Sequence, residues 1–221
     1  MDNSELESRL KEAFKEVRID IRSRSENAIK WRLESLKIYD EPTAMHSIRV
    51  ALKGKKIADL KIYQMTLNPR TMLFGGCLHD VGKENINREL LNKERDFTAQ
   101  DMEEIRRHPI EGYNILKKNN YYSAIICLYH HKFSKDSYPS DKEIAKLGMK
   151  LGTKSLNLAQ EYAKVIGVID DYDAMSNRKN DKFSPGKPEI LSPKKRSEKL
   201  LENHPQSRVF INKLYDKYLF E

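Results

Sequence analysis

The sequence predicts an all-α protein. Apolar residues recur at the three- and four-residue spacing of helices through most of the 221 residues, and helix-start signals separate these runs. No segment alternates apolar and polar side chains as a half-buried strand does, and the sequence contains no internal repeat. We therefore expect a helical bundle whose core spans residues 41–180, flanked by a helical extension over 1–40 and by C-terminal helices.

The sequence over 1–40 predicts an amphipathic helix and a second helical run that either continues it or follows it. Ser4 and Glu7 have the spacing of a capping box, and the second helical run ends at Asp40-Glu41-Pro42. This part carries no chemical motif, so we expect it to pack on the core or on a second subunit, and a dimer formed through it is one option. The apolar positions that define these helical runs are Leu6, Leu10, Phe14, Val17, Ile21, Ala28, Trp31 and Leu36.

Two predicted core helices place histidines near their ends. Thr43 is a candidate cap for a helix that carries His46 in its first turn. Asn68-Pro69 is a cap followed by a first-turn proline, and it begins an apolar helix that ends at His79-Asp80.

The next helices continue this pattern. Thr98 and Asp101 predict a capping box that opens a helix running to His108, and Pro109 restarts the chain there. The apolar helix over 121–131 ends in two adjacent histidines. Adjacent helical residues point about 100° apart, so both histidines reach one centre only where the helix unwinds.

A long buried helix is predicted from Leu158 to Met175. Asp170 and Asp173 are three residues apart and share the face that Ile166 helps define, whereas Asp171 points elsewhere and is expected to be solvated. Acids in the continuation of a core helix need a partner to compensate for burial.

The remaining segments predict loops and terminal helices. Residues 132–152 have mixed character and predict a loop, and proline, glycine and lysine over 180–196 predict a linker. The segment 181–221 then closes with two short helices packing on the core, the second capped by Ser207. Of the six histidines, His204 alone lies in this tail, away from the core helices.

Composition restricts the class of protein. No apolar run approaches the roughly 18 residues of a membrane span, and no signal-peptide core is present, so we expect a cytoplasmic protein. Cys77 and Cys127 lie in apolar helices and predict buried free thiols. The net charge of +8 favours anionic partners. The basic stretch 194–196 makes nucleic acid a possible partner with salt-sensitive binding, although we do not favour it.

The stretch from Leu73 to Lys83 organises the chain. It ends in His79 and Asp80, a neutral imidazole and a carboxylate that suit borderline divalent metals and are costly to bury without a partner. Gly82 allows a sharp turn, after which the Lys83 ammonium suits a phosphate. The alternative is an ordinary helix C-terminus at which His79 bonds the last carbonyls.

The motifs together resemble the HD superfamily of metal-dependent phosphohydrolases, and the HD-GYP branch most closely. The resemblance spans about residues 43–178. It rests on the strings His46-Ser47-Ile48-Arg49-Val50, Leu78-His79-Asp80-Val81-Gly82-Lys83, Arg107-His108-Pro109-Ile110-Glu111-Gly112, Tyr129-His130-His131 and Val168-Ile169-Asp170-Asp171-Tyr172-Asp173-Ala174-Met175.

The resemblance implies a centre of two divalent ions, of Mn, Fe, Co, Ni or Zn, that orients a phosphoryl group for in-line attack. In the implied centre Asp80 would bridge the ions and act with Lys83 in catalysis, while Asp173 would orient a ligand. The implied metal ligands are His46, His79, Asp80, His108, His130, His131 and Asp170. The candidate substrate contacts are Lys83, Arg49, Lys132, Tyr138 and Arg178.

The chain departs from the branch in the segment 132–139 that follows the paired histidines, which we call the lip. Relatives that cleave cyclic di-GMP follow the paired histidines with Glu, Asp-Gly and Gly-Tyr-Pro, whereas this chain has Lys132 and keeps only Tyr138-Pro139. Pro42 stands where some relatives carry a glutamate that supports a third ion, so we expect at most two. A phosphodiesterase or phosphatase acting on a nucleotide or related phosphoester is the favoured function. The alternatives are a nucleotide-sensing module with little turnover, a di-iron oxygenase and a nuclease.

Overall fold

The fold is built from α-helices. The computed structural model describes residues 2–18, 24–94, 96–178 and 190–220, and this part contains no strand, which confirms the predicted class. The α-helices are α1 (Asn3–Glu16), α2 (Arg24–Tyr39), α3 (Glu41–Asp59), α4 (Pro69–Leu78), α5 (Arg88–Leu91), α6 (Ala99–Ile105), α7 (His108–Leu116), α8 (Tyr121–Tyr129), α9 (Asp141–Lys146), α10 (Thr153–Asn177), α11 (Pro193–Asn203) and α12 (Arg208–Asp216). Val81–Asn85 and Pro205–Ser207 form 3₁₀ turns.

Helix α10 forms the centre of the bundle. It packs on α3, α4 and α8, and Val165, Ile166 and Ile169 in its middle are fully buried. Burying a side chain of this size stabilises the fold by about 1.5–3 kcal/mol. Around this axis α3 packs along α4 and α7 along α8, while α1 and α2 cover α3. The two cysteines are buried free thiols, as predicted.

Two predicted helix starts are confirmed. The Asn68 side chain accepts a hydrogen bond from the backbone N of Thr71 at 3.1 Å and caps α4. Thr98 and Asp101 form both bonds of a capping box at the start of α6. These caps satisfy backbone donors that no helical carbonyl reaches.

Two other starts were predicted wrongly. Asp2, and not Ser4, caps α1 by accepting from the backbone of Glu5. Asp40, and not Thr43, caps α3, because its carboxylate accepts from the backbone N of Thr43 at 3.1 Å. Asp40-Glu41-Pro42 therefore also begins a helix, since a proline in the first turn loses no hydrogen bond.

The helix that Thr98 opens ends at Ile105 and does not run to His108 as predicted. Pro109 has no N–H to donate to the carbonyl of Ile105, and its ring would clash with that carbonyl in a continuous helix. The chain therefore breaks after α6, and α7 begins at His108.

The predicted loop over 132–152 contains a helix. Ser140 and Glu143 form a capping box that opens α9, and this S-x-x-E signal is readable in the sequence. The predicted linker also ends earlier than expected, because α11 begins at Pro193 and includes the basic stretch 194–196. Residues 180–189 of that linker, like Ile21, lie outside the described residues.

Asp171 was predicted to be solvated and His204 to lie away from the core helices, and both predictions were wrong. Asp171 is not solvated, since only 5 % of its surface is exposed, and it accepts a hydrogen bond from Nε2 of His204 at 3.0 Å. The Asn203 amide donates to the same carboxylate oxygen at 3.2 Å. His204 therefore has a buried partner in α10, and the pair attaches the end of α11 to the core. The division of the chain into 1–40, 41–180 and 181–221 stays a prediction.

Candidate metal centre

The structure brings the seven predicted ligands together at one buried centre. Three groups of their nitrogen and oxygen atoms lie within 4.8 Å of one another: His46, His79 and Asp80; His79, His130 and Asp170; and His108, His130 and His131. All seven side chains are buried. They come from α3, the end of α4, the start of α7, the end of α8 and the C-terminal half of α10.

His46 lies between two carboxylates of α10. Its Nδ1 is 2.7 Å from Oδ2 of Asp173, and its Nε2 is 2.8 Å from Oδ1 of Asp170. Asp173 also accepts from Nε of Arg49, at 2.9 and 3.0 Å to its two oxygens. The arrangement fixes the His46 ring from the side of Asp173 and directs Nε2 toward the centre.

His79 and Asp80 lie between α4 and the 3₁₀ turn that follows. The His79 ring donates from Nδ1 to the carbonyl of Gly76 at 2.8 Å, so the alternative of a histidine bonding the last helical carbonyls is also realised. Its Nε2 has no hydrogen-bond partner and lies 3.5 Å from Oδ2 of Asp80. Oδ1 of Asp80 also lacks a partner and lies 3.4 Å from Nε2 of His108.

His108 and His130 repeat the local geometry of His79. Each donates from Nδ1 to the carbonyl three residues earlier, His108 to Ile105 at 2.7 Å and His130 to Cys127 at 2.5 Å. The Ile105 carbonyl is the one that Pro109 leaves without a helical donor. In a neutral imidazole with a hydrogen on Nδ1, Nε2 carries the lone pair, so these rings present metal-binding nitrogens to the centre.

The paired histidines follow the end of α8, as the 100° argument required. α8 ends at Tyr129, and both His130 and His131 lie beyond its last residue. The two rings are 4.0 Å apart between centroids, and Nε2 of His131 lies 3.5 Å from Oδ2 of Asp170. Both imidazoles therefore reach the same centre.

The donor set fits divalent cations. Nε2 of His108 and Nε2 of His130 are 3.3 Å apart, and both carry lone pairs in the neutral rings. Nε2 of His79 and Oδ1 of Asp80 are buried without partners. A buried polar atom without a partner costs about 1–3 kcal/mol, and cations between these atoms would satisfy all four. Neutral imidazole and carboxylate are ligands for Mn, Fe, Co, Ni and Zn.

Charges around the centre keep its carboxylates ionised and two of its imidazoles neutral. Burial opposes ionisation of Asp80, but Lys83, His79 and His108 together hold its pKa well below the usual value. Burial lowers the pKa of His130 to about 4 and that of His108 well below its usual value. Burial opposes protonation of His79, but Asp80, Asp170 and the carbonyl of Gly76 together raise its pKa.

Two basic side chains lie beside Asp80. Nζ of Lys83 donates to Oδ2 of Asp80 at 2.5 Å, and burial lowers the pKa of this lysine. An Nη atom of Arg178 lies 4.0 Å from the same oxygen and has no hydrogen-bond partner. The two cations therefore converge on one edge of the centre, where an anion would meet both.

The other candidate substrate contacts lie in different places. The guanidinium of Arg49 donates to Asp173, which in turn contacts His46, so Arg49 reaches the centre only through these two residues. Lys132 donates to the carbonyl of Pro139 at 3.2 Å and pairs with Asp141 at 2.8 Å, which ties the two ends of the lip together. The Tyr138 ring stacks on His131 with centroids 4.5 Å apart and borders the centre.

Glycine at 82 is required by packing and not by a turn. The chain does turn here, as predicted, and Lys83 reaches back to Asp80, but the φ of Gly82 is not in the left-handed region. A Cβ on Gly82 would lie 1.9 Å from the carbonyl O of His108 and 2.4 Å from the backbone N of Gly112. The 3₁₀ turn and α7 thus approach closely enough to bring Asp80 against His108.

Sequence reasoning did not identify Arg106, whose guanidinium lies 5.5 Å over the ring of Tyr138. A lone arginine at a helix end carries no spacing signal.

Among the helices of the described residues, none has the length and apolar character that crossing a bilayer requires. The cytoplasmic location and the dimer stay predictions.

The fold and the site together define the class of protein. It is an all-α bundle with a buried cluster of imidazoles and carboxylates. The chain belongs to the HD domain family, whose model matches residues 43–175. The resemblance predicted from the motifs is confirmed at this level.

Two curated proteins are similar to the chain. A cyclic di-GMP phosphodiesterase of Pseudomonas aeruginosa is 31 % identical over 154 residues, which cover 66 % of this chain and 33 % of that protein. A cyclic di-GMP phosphodiesterase of Thermotoga maritima is 26 % identical over 148 residues, which cover 63 % of this chain and 36 % of that protein. The chain spans about a third of the length of these relatives.

Proposed function

We propose that the protein is a metal-dependent phosphoric ester hydrolase with two divalent ions at the buried centre. The observation that carries the proposal is the convergence of imidazole Nε2 atoms and carboxylate oxygens that lack other partners, next to two basic side chains. Membership of the HD domain family and the activity named for the two relatives support it.

The donor groups suggest how two ions would be shared. His46, His79, Asp80 and Asp170 would hold one ion, and His108, His130 and His131 would hold the other with Asp80 between them. Two divalent ions at such a centre neutralise phosphoryl oxygens and lower the pKa of water. Imidazole and carboxylate ligands bind Mn, Fe, Co, Ni and Zn, so the residues do not select one of these metals.

The chain's own residues position and stabilise the substrate. Lys83 and Arg178 would bind the non-bridging oxygens of a phosphoryl group brought to Asp80, since both cations face that carboxylate. Asp173, itself held by Arg49, keeps the hydrogen of His46 on Nδ1 and leaves Nε2 for the metal. Hydrogen bonds to backbone carbonyls hold His79, His108 and His130 in the same orientation.

The substrate we propose is a nucleotide or related phosphoester. Cyclic di-GMP, the substrate named for the two relatives, is one candidate. The lip argues for a wider search, because Lys132 replaces a glutamate and is engaged with Asp141 and Pro139. We therefore infer hydrolase chemistry more directly than any single substrate.

The test is metal reconstitution followed by a phosphoester panel. The protein is stripped with a chelator, reloaded separately with Mn, Fe, Co, Ni or Zn, and assayed on cyclic dinucleotides, linear dinucleotides and nucleoside monophosphates. We expect turnover that Asp80→Asn abolishes. Asp171→Asn is the matched control, because Asp171 is a buried acid one residue from Asp170 that faces His204.

Other outcomes would select other functions. Tight nucleotide binding by fully metallated protein without turnover would favour a sensing module. Two irons per chain with oxygen consumption would favour an oxygenase. If the Asp80→Asn variant turned over every ester as the wild type does, the proposed centre would be contradicted.

A further inference from the structure

A pocket of about 470 Å³ lies between α1, α2 and α3. Both α1 and α2 pack on α3, which forms the floor of the pocket, while the two outer helices form its walls. Among the described lining residues, none is a ligand of the metal centre. The apolar side chains that line it are Leu10, Phe14, Leu33, Ala44, Met45 and Ile48.

The pocket is long and narrow. Along α1 it extends from Glu7 to Lys15, which corresponds to about 12 Å at a rise of 1.5 Å per residue. Its volume divided by this length gives a mean cross-section of about 40 Å². One turn of a helix with its side chains, about 10–12 Å wide and 5.4 Å long, already fills about 500 Å³. A helix of a partner protein is therefore too wide for this pocket, whereas a single extended hydrocarbon chain is slender enough.

The interior of the pocket is apolar. Ala44, Met45 and Ile48 of α3 form its floor, while Leu10 of α1 and Leu33 of α2 line its two sides. Each of these residues exposes less than a tenth of its surface, so they present a hydrocarbon lining that water contacts little. A hydrocarbon chain gains about fourfold in affinity for each methylene that it buries in such a lining.

The rim of the pocket is positively charged. Four lysines and two glutamates lie on the described part of the rim. Lys37 pairs with Glu7, and Lys30 pairs with Glu34 at 3.7 Å. These two pairs neutralise both glutamates and leave two lysines in excess. The rim is therefore complementary to an anion.

Lys11 and Lys15 are the two lysines in excess. They are four residues apart on α1, so their ammonium groups lie on the same face of the helix and repel each other. Within the described part of the chain, no carboxylate forms a salt bridge with either side chain, and both are exposed. An anion at this edge of the pocket would relieve the repulsion and attract both charges.

We propose that the pocket binds the free anion of a medium-chain carboxylic acid. Its hydrocarbon chain lies on the α3 floor and its carboxylate lies between Lys11 and Lys15. The rim selects an anion, the lining selects hydrocarbon, and the width selects one chain over the two chains of a phospholipid. This binding site is separate from the metal centre and does not depend on the proposed hydrolase activity.

The test is isothermal titration calorimetry of the metal-loaded protein with decanoate, octanoate and decanol, each below the concentration at which it aggregates. We expect one decanoate to bind per chain. Octanoate should bind about tenfold more weakly, because it buries two methylenes fewer. Decanol should bind about fivefold more weakly than decanoate, because it lacks the charge that the two exposed lysines attract.

A double variant, Lys11→Gln/Lys15→Gln, separates the rim from the lining. It should raise the Kd of decanoate about fivefold, to that of decanol, and leave the Kd of decanol unchanged. The matched control is Lys142→Gln/Lys146→Gln on α9. It removes two exposed lysines at the same spacing from a helix that does not line the pocket, so it should leave the Kd of decanoate unchanged.

Four results would overturn the proposal. Absence of saturable decanoate binding would mean that the pocket is closed in solution. Equal affinities for decanoate and decanol would remove the role of the rim. A Kd of decanoate that the Lys11→Gln/Lys15→Gln variant leaves unchanged would place the acid elsewhere, for example on the metal ions. An equal effect of the α9 control would reduce the result to general electrostatics.

Failure of the proposed function would have a different signature. The titration measures binding and not turnover, so a protein that hydrolyses no phosphoester would still give a result for this pocket. Conversely, turnover that Asp80→Asn abolishes would support the hydrolase assignment even if decanoate did not bind.

Discussion

Nε2 of His108 and Nε2 of His130 face each other at 3.3 Å, while both rings have given their Nδ1 hydrogens to backbone carbonyls. Two lone pairs at this distance repel each other unless a cation lies between them. We therefore expect this pair to bind a cation.

Removal of His108 should lower metal content. We expect His108→Ala to bind about one divalent ion per chain where the wild type binds two, because the second ion loses a ligand and the first keeps its own. Elemental analysis after dialysis against trace metal measures the ratio. His204→Ala, which removes a buried histidine away from the centre, should retain two ions. Two ions in His108→Ala would contradict the sharing of ligands proposed above.

Lys83 should act on turnover and not on metal binding. We expect Lys83→Met to lower kcat by about 10²-fold, the usual cost of losing one charge that stabilises a transition state, with metal content unchanged. Lys135→Met is a suitable control, since this ammonium is exposed and pairs with Glu202 on the surface. If Lys83→Met lost metal in proportion to its loss of kcat, the lysine would serve the site only structurally.

The metal-free protein should lose stability as the pH falls from 6.5 toward 4. The folded-state pKa of His130 is about 4, against an ordinary value of 6.5, so within this window the unfolded chain binds a proton that the folded chain does not. The contribution of His130 to the free energy of unfolding is therefore largest above pH 6.5 and declines below it. The slope from one such group is at most about 1.4 kcal/mol per pH unit.

His79 has the opposite sign, since its pKa is raised and it favours the folded state at low pH. The comparison with His130→Gln isolates the contribution of His130. Urea unfolding at several pH values should give a shallower loss of stability in this variant than in the wild type. Identical slopes would show that folding does not lower the pKa of His130.

Gly82→Ala should destabilise the fold and disturb the metal centre. The added Cβ would meet the backbone of His108 and Gly112, so α7 and the 3₁₀ turn must separate, at a cost of about 1–3 kcal/mol. Gly152→Ala provides the control, because no atom lies within 4 Å of its Cβ position. Thermal unfolding and metal titration of both variants measure the two effects. A Gly82→Ala protein as stable as Gly152→Ala would exclude the close approach.

His204→Ala should destabilise the protein without affecting the metal centre. It leaves the buried Asp171 with one hydrogen bond fewer, which costs about 1–3 kcal/mol. Denaturant unfolding of the chelated protein measures this loss. Glu202→Gln changes an exposed residue near the end of α11 and should alter stability far less. Equal stabilities of the two variants would mean that α11 is held by its apolar contacts alone.

The ligand positions could be predicted because helix signals mark them locally. Asn68-Pro69 begins α4, so the apolar run that follows must end near His79, and Pro109 forces a new start at His108. The unwinding after Tyr129 follows from the demand that two adjacent imidazoles reach one centre. Each of these predictions uses residues that are neighbours in the sequence. The resemblance of the motifs to the HD superfamily then assigns the separate positions to one centre.

Features that depend on packing between distant segments could not be predicted in the same way. Asp171 appeared to face solvent because nothing near it in sequence indicates that His204, 33 residues later, covers it. The reason for Gly82 is the position of α7, and the position of Arg106 depends on where the lip folds. Helix α9 is different, because Ser140 and Glu143 carried a local signal that a mixed composition obscured.

The centre draws on residues as far apart as His46 and Asp170, which lie 124 positions from each other. During synthesis, a nascent chain that has not yet released α10 from the ribosome lacks Asp170 and cannot assemble the complete set of ligands. Full metal loading is therefore a late event in the life of each molecule. An ion bound by His46 and Asp170 would close the residues between them into a single loop.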